Sequence, residues 1–145
     1  MKKLLLIIAV IAVAYIGLTQ NSSLSPGKVA ETSNGSDQVI ASAFENHRSN
    51  LRIEGQGIVS KILSDDVEGN RHQRFIIRLD SGRTLLVAHN IDLAPRVASL
   101  REGDKVMFNG EYEWSPKGGV IHWTHRDPSG RHATGWIKHG GQTYQ

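Results

Sequence analysis

Residues 52–63 read RIEGQGIVSKIL, and they are followed by DDVEGN (65–70), QRFIIRLD (73–80), SG (81–82) and TLLVAH (84–89). Apolar runs of strand length separated by Gly, Asn, Asp and Ser clusters predict a three-stranded meander: Arg52 to Leu63, Gln73 to Asp80 and Thr84 to His89. Gly55 and Gly57 sit two apart inside the first run. Glycine in a strand marks a bulge or a tight bend, so the first strand is expected to curve where a sheet closes on itself.

Upstream, Asp37 precedes Val39, Ile40, Ala43 and Phe44 at helical spacing, and Asn50 offers a stop; this predicts a helix over about 38–49. Downstream, Leu93, Pro95, Val97 and Leu100 suit a short helix or turn between the third and fourth strands, the short helix being the form expected. A turn at Arg101-Glu102-Gly103-Asp104 leads into alternating Val106, Phe108, Tyr112 and Trp114, a fourth strand over about 105–115. Pro116-Lys117-Gly118-Gly119 then reads as a hairpin loop before a fifth strand, Val120 to Thr124. If Ser115 faces Val120, Tyr112 pairs with Trp123, Glu113 with His122, and Glu111 with Thr124. Three strands, a short helix and a hairpin, behind an N-terminal helix, give a mainly β chain whose order is that of a five-stranded Greek-key barrel of the OB-fold type; an SH3-like barrel is the alternative.

Outside this unit, Lys2-Lys3 and the uncharged run Leu4 to Leu18 match a signal peptide or N-terminal membrane anchor over residues 1–19. Residues 20–36 are rich in Ser, Asn, Gly and Thr, as expected of a flexible linker, which leaves 37–145 as one domain. Such a chain is expected in the periplasm, secreted, or held at the inner membrane through residues 4–18. The formal net charge is +3, and Lys2 and Lys3 supply two of it. With the remainder nearly balanced, composition gives no general attraction to nucleic acid. There is no cysteine, so disulfides, thiolate metal sites and a thiol nucleophile are excluded. The size excludes multi-domain enzymes and doubly wound nucleotide-binding sheets.

Two constellations could carry chemistry. His122, His125, His132 and His139 form H-x2-H-x6-H-x6-H. Three imidazoles and an open position would suit zinc or another transition metal, with Glu111, Glu113 or Asp127 completing the shell or activating water. The same residues serve equally as surface or hydrogen-bonded core groups. His122 beside Glu113 would also make an acid–base pair. Separately, Arg74 and Arg78 alternate with Phe75, Ile77 and Leu79, which gives the second strand a basic outer face that also carries His72. Basic side chains beside aromatics such as Tyr112, Trp114, Trp123, Trp136 and Tyr144 suit an anionic strand or saccharide. The tail from His125 to Gln145 is too aromatic for disorder and is expected to wrap back on the barrel through Trp136 and Ile137.

Gly55-Gln56-Gly57 and the runs Arg71 to Phe75, Ala88 to Arg96, Gly110 to Trp114 and Gly118 to His125 together resemble a family of small exported bacterial proteins of unknown function. That family is marked by a His-Trp-Thr-His motif, here His122 to His125, and the likeness covers about 38–145. It implies an OB-like barrel and a cell-envelope setting, and brings no activity or catalytic residue with it. The leading expectation is therefore a non-enzymatic module binding an anionic ligand (oligosaccharide, nucleic acid or peptide). Its groove would be lined by Arg74, Arg78, His89, Glu113, His122, Trp123, His125 and Trp136. The alternative is a metal-dependent hydrolase of a phosphodiester-like substrate, with His122, His125 and His132 as ligands.

Overall fold

A computed structural model describes residues 30–145, with side chains from Ser33 onward. The expected leader and the first part of the expected linker lie outside these residues. Helix α1 spans Ala30–Glu45, so it starts inside the stretch read as linker and stops four residues short of the predicted end. Its stop is a left-handed turn at His47 (φ 49°). There the Arg48 N–H reaches Ala43 O (2.9 Å) and the His47 N–H reaches Phe44 O (3.3 Å), the paired bonds that close a helix end on its own last carbonyls. Ile40 and Ala43 bury one side of α1 in the barrel.

Seven strands follow: β1 (Leu51–Ile62), β2 (His72–Arg78), β3 (Thr84–Asn90), β4 (Lys105–Glu113), β5 (Val120–His122), β6 (Trp136–His139) and β7 (Gln142–Tyr144). The first five agree with the predicted strands to within two residues at most ends. They close in the order β1-β2-β3-β5-β4 with β4 returning to β1, and β5 runs parallel to β3, giving a small OB-like barrel. β1 serves both sides of the closure: residues 51–58 pair with β4 and residues 58–62 with β2. Its bulge lies between Val59 and Lys61, just beyond the predicted glycines. Gly57 instead permits close packing, since a Cβ there would stand 2.9 Å from Arg78 O.

Period-two patterning does what it should. Phe75 and Ile77 of β2, Leu85 and Val87 of β3, Val106, Phe108 and Tyr112 of β4, and Ile121 of β5 all point inward and are buried. Each is worth roughly 2 kcal/mol over an exposed position, so a one-residue slip of any strand would turn a stabilising set outward.

Two expectations are corrected. Residues 91–100 form turns, not a short helix. Asn90 Oδ1 accepts the N–H groups of Asp92 (2.9 Å) and Leu93 (3.2 Å), as a helix cap would. Pro95 then disfavours helical geometry at Ala94, and buried Gln73 pins the segment through both backbone groups of Val97. The β4–β5 hairpin is shifted by two residues: Glu111 pairs with His122, Tyr112 with Ile121 and Glu113 with Val120. The cause is Trp114, which leaves the strand to dock on the helix end, its indole N–H on Phe44 O (3.1 Å) and its ring 4.2 Å from that of His47. Because the shift is even, the residues that do pair, 111–113 and 120–122, keep their predicted faces, but Trp123 loses Tyr112 as a partner and Thr124, beyond the strand end, turns inward. Finally, the tail does wrap back, as the hairpin β6–β7 added to β4, with Ile137 and Tyr144 buried.

Gly119 makes the tightest demand on the hairpin. Its φ is +108°, and a Cβ would collide with the Tyr112 ring; Gly130, at φ +68°, faces open space. Gly119→Ala is expected to cost about 3 kcal/mol and Gly130→Ala about 1 kcal/mol, from strain with and without overpacking. Urea denaturation of the two variants measures the difference, and equal losses would contradict this packing.

Candidate functional site

The outward positions of the barrel strands come into line across the sheet. Arg74 on β2 pairs with Ala88 on β3. The parallel register of Leu86 with Val120 and Val87 with Ile121 continues to bring Ala88 beside His122. His122 pairs with Glu111 on β4, and Glu111 with Arg52 on β1. All five are half-buried, and each alternates with at least one buried neighbour, so the row Arg74–Ala88–His122–Glu111–Arg52 runs across the outer face. Strand spacing sets Arg74 and His122 about 10 Å apart with only a methyl between them. Arg78 extends the face and is exposed, and its side chain has no hydrogen bond or ion pair among the described residues. Arg74 uses its Nε on Ser64 O (3.0 Å).

At the acidic end of the row two His–carboxylate pairs stand together. His122 Nε2 lies 3.4 Å from Glu113 Oε2. Burial pushes the His122 imidazole below its ordinary value, outweighing the upward pull of Glu113 and Glu111. His132 comes from the tail: its Nδ1 is 2.6 Å from Glu111 Oε2, and its ring lies flat on Trp123, centroids 3.7 Å apart and planes 11° apart. A carboxylate can only accept, so Nδ1 carries the proton and Nε2 is left to other partners.

The chain can deliver these groups because β5 ends at His122 and the backbone turns sharply at Trp123, φ +54°, an unusual value for a bulky residue. Several contacts hold the turn. Arg52 Nη1 donates to Trp123 O (3.4 Å), and Gly135 packs against the same carbonyl so tightly that no side chain would fit. Gly135 N–H donates to His125 O (3.0 Å).

His89, expected in the groove, is instead in the core, fully buried. Its Nε2 is 3.0 Å from Pro95 O and its Nδ1 is 2.7 Å from Thr124 Oγ1. A carbonyl accepts, so Nε2–H donates to Pro95 and Nδ1 accepts the Thr124 hydroxyl. His89 is therefore a neutral tie between the 91–100 turns and the end of β5.

The C-terminal histidines do not converge. His139 bonds Asp104 (2.8 Å), and buried His125 is 2.6 Å from Arg126 O through Nδ1, with its ring 5.3 Å from that of Trp123. Asp127, a candidate base, accepts from the Ser129 hydroxyl and the N–H groups of Ser129, Arg131 and His132, and the Ser129 hydroxyl above all holds its carboxyl far below the usual range. Among the described residues no group of three or more His, Asp or Glu side chains is placed to hold a metal ion.

The aromatics are likewise dispersed. Tyr112 and Tyr144 are buried, Trp114 caps the helix, Trp123 lies under His132, and Lys138 Nζ covers Trp136 at 4.2 Å. None of the five stands open beside Arg74 and Arg78. Sequence reasoning missed Arg52 and Ala88 as members of the face; both depend on cross-strand registers, and no local motif signals either. A family model described as a protein of unknown function (DUF3465) matches residues 24–145, and no curated protein matches the chain.

Desolvation lowers the His89 pKa from 6.5 to about 4. Above pH 6.5 the imidazole is neutral folded and unfolded; between 6.5 and 4 only the unfolded chain takes the proton, so stability falls as the pH drops through that window. The loss expected from this one group is about 3 kcal/mol. Comparing urea midpoints at pH 7 and pH 4 for the native chain and His89→Gln checks it: the variant should start less stable but lose much less on acidification.

Proposed function

Because the chain belongs to this family of unknown function, its role has to be read from its own side chains, and we propose that it is a binding module for an acidic oligosaccharide held on the outer face of β2, β3 and β5. The observation that supports this reading is the row Arg74–Ala88–His122. It offers a guanidinium at one side, a carboxylate-backed neutral imidazole at the other, and a floor of small and aliphatic side chains between. Acid groups of the ligand would sit on Arg74 and Arg78, where planar donors match them. Its hydroxyls would donate to Glu113 and to unprotonated His122. The β2–β3 face is also where OB barrels usually bind.

Nucleic acid gains less support, because unpaired bases need aromatic platforms and the arginine face has no open one. An acidic peptide would satisfy the arginines but would leave the acceptors at Glu113 and His122 with less to do. The metal-dependent hydrolase is supported least, since His122, His125 and His132 are committed to separate partners. We place the module outside the inner membrane on the strength of Lys2-Lys3 and the apolar run Leu4 to Leu18. No helix among the described residues is long and apolar enough to cross a membrane.

Calorimetric titration with an oligogalacturonate, a heparin hexasaccharide and neutral maltohexaose tests the reading. Both acidic sugars should bind and the neutral one should not, and Arg74→Ala with Arg78→Ala should weaken binding by about 2–4 kcal/mol in total. A single-stranded oligothymidylate serves as the comparison ligand. Unchanged affinity in the double variant, or tighter binding of the oligonucleotide than of either sugar, would overturn the assignment.

A further inference from the structure

A second surface, on the far side of β4 from the arginine face, has features of its own. Between α1 and the first half of β1 lies a cleft of about 450 Å³, walled by Gly35 and Val39 of the helix, Ile53 and Gly55 of β1, and Met107 of β4. Val39 (48 % exposed) and Met107 (37 %) are two of the few large apolar side chains that the described residues leave in solvent, and the cleft joins them. Isolated exposed apolar residues need no explanation, but apolar residues converging on a concave space of this size are what small-molecule sites are made of.

Arg52 also lines the cleft. Its Nε donates to Asn109 Oδ1 at 2.7 Å, and its Nη1 reaches Trp123 O only at 3.4 Å. Its Nη2 is shut off from solvent and has no hydrogen-bond partner. A charged donor without an acceptor is among the costliest groups to bury. With Nε held on Asn109 and Nη1 on Trp123 O, Nη2 is the one guanidinium nitrogen without an acceptor. An anion arriving from the cleft would supply the missing acceptor.

We propose that this cleft binds a single-chain anionic amphiphile, its hydrocarbon body against Val39, Ile53 and Met107 and its carboxylate on the unused donor of Arg52. The inference is independent of the acidic-sugar reading, which uses neither the cleft nor this donor. Neighbouring Glu54 is tied to Asn109 Nδ2 (3.4 Å) and sets the charge preference against bulky multi-anionic headgroups. One carboxylate meets one free donor.

The test is a methyl-resolved NMR titration of the full chain with sodium decanoate below its micelle concentration, paired with decyltrimethylammonium. Decanoate should shift the methyl signals of Val39, Ile53 and Met107 saturably while leaving those of Val67 and Leu93, which are exposed elsewhere, in place. The cationic amphiphile should bind at least tenfold more weakly. Arg52→Gln should erase that headgroup preference; because this change could also disturb β1, Met107→Glu at an exposed position provides the second variant and should weaken decanoate at least tenfold with the fold retained. Shifts at Val67 and Leu93 equal to those in the cleft, no saturation at the cleft methyls, or equal binding of the two headgroups would overturn the proposal.

Discussion

The outer edge of β4 has to serve two strands at once. Residues 111–113 pair with β5 and residues 107–109 with β6, while the opposite edge is fully taken by β1. β5 must therefore stop after three residues and the chain must leave the sheet, loop out and re-enter beside Asn109. The left-handed turn at Trp123 makes that departure. For a residue of this size such geometry costs on the order of 1–2 kcal/mol. It is offset by the His132 stack, the Arg52 and Gly135 contacts on the Trp123 carbonyl, and the buried bond of Thr124 to His89.

From that turn follows the distribution of the His-Trp-Thr-His segment. The four side chains divide among three environments: His122 on the outer face, Thr124 in the core beside His89, and Trp123 and His125 against the tail. A straight strand would have put His122 and Thr124 on the same face. The break sends Thr124 inward, where its hydroxyl meets His89, the one fully buried imidazole among the described residues. The segment thus works mainly as a junction between barrel, 91–100 turns and tail, and only His122 remains for solvent or ligand beside Glu113.

Charge on the outer face is polar from one side to the other: arginines on β2, carboxylates on β4, and a neutral imidazole between. Burial lowers the His122 pKa against the upward pull of two nearby carboxylates. The exposed ion pairs elsewhere, Arg71 with Asp92 and Arg83 with Glu45, contribute little by comparison because solvent screens them.

Much of this was legible in the residues themselves. Alternation fixed which side of each strand faces inward, because a strand's side chains repeat every two residues whatever they pair with; Phe75, Ile77, Tyr112 and Ile121 needed no tertiary information. Arg74 and Arg78 were assigned to an outer face on the same ground. The helix stop at His47, the turns at 91–100 and the β4–β5 register were not legible, because each involves a partner distant in sequence: the Trp114 ring on His47, Gln73 on Val97, and the Trp114 indole on Phe44 O. The neighbourhood of the histidines was decided only by the tertiary structure. Sequence spacing says how far apart His122, His125 and His132 lie along the chain, but what each imidazole touches depends on where β5 ends, and competition for the edge of β4 sets that point.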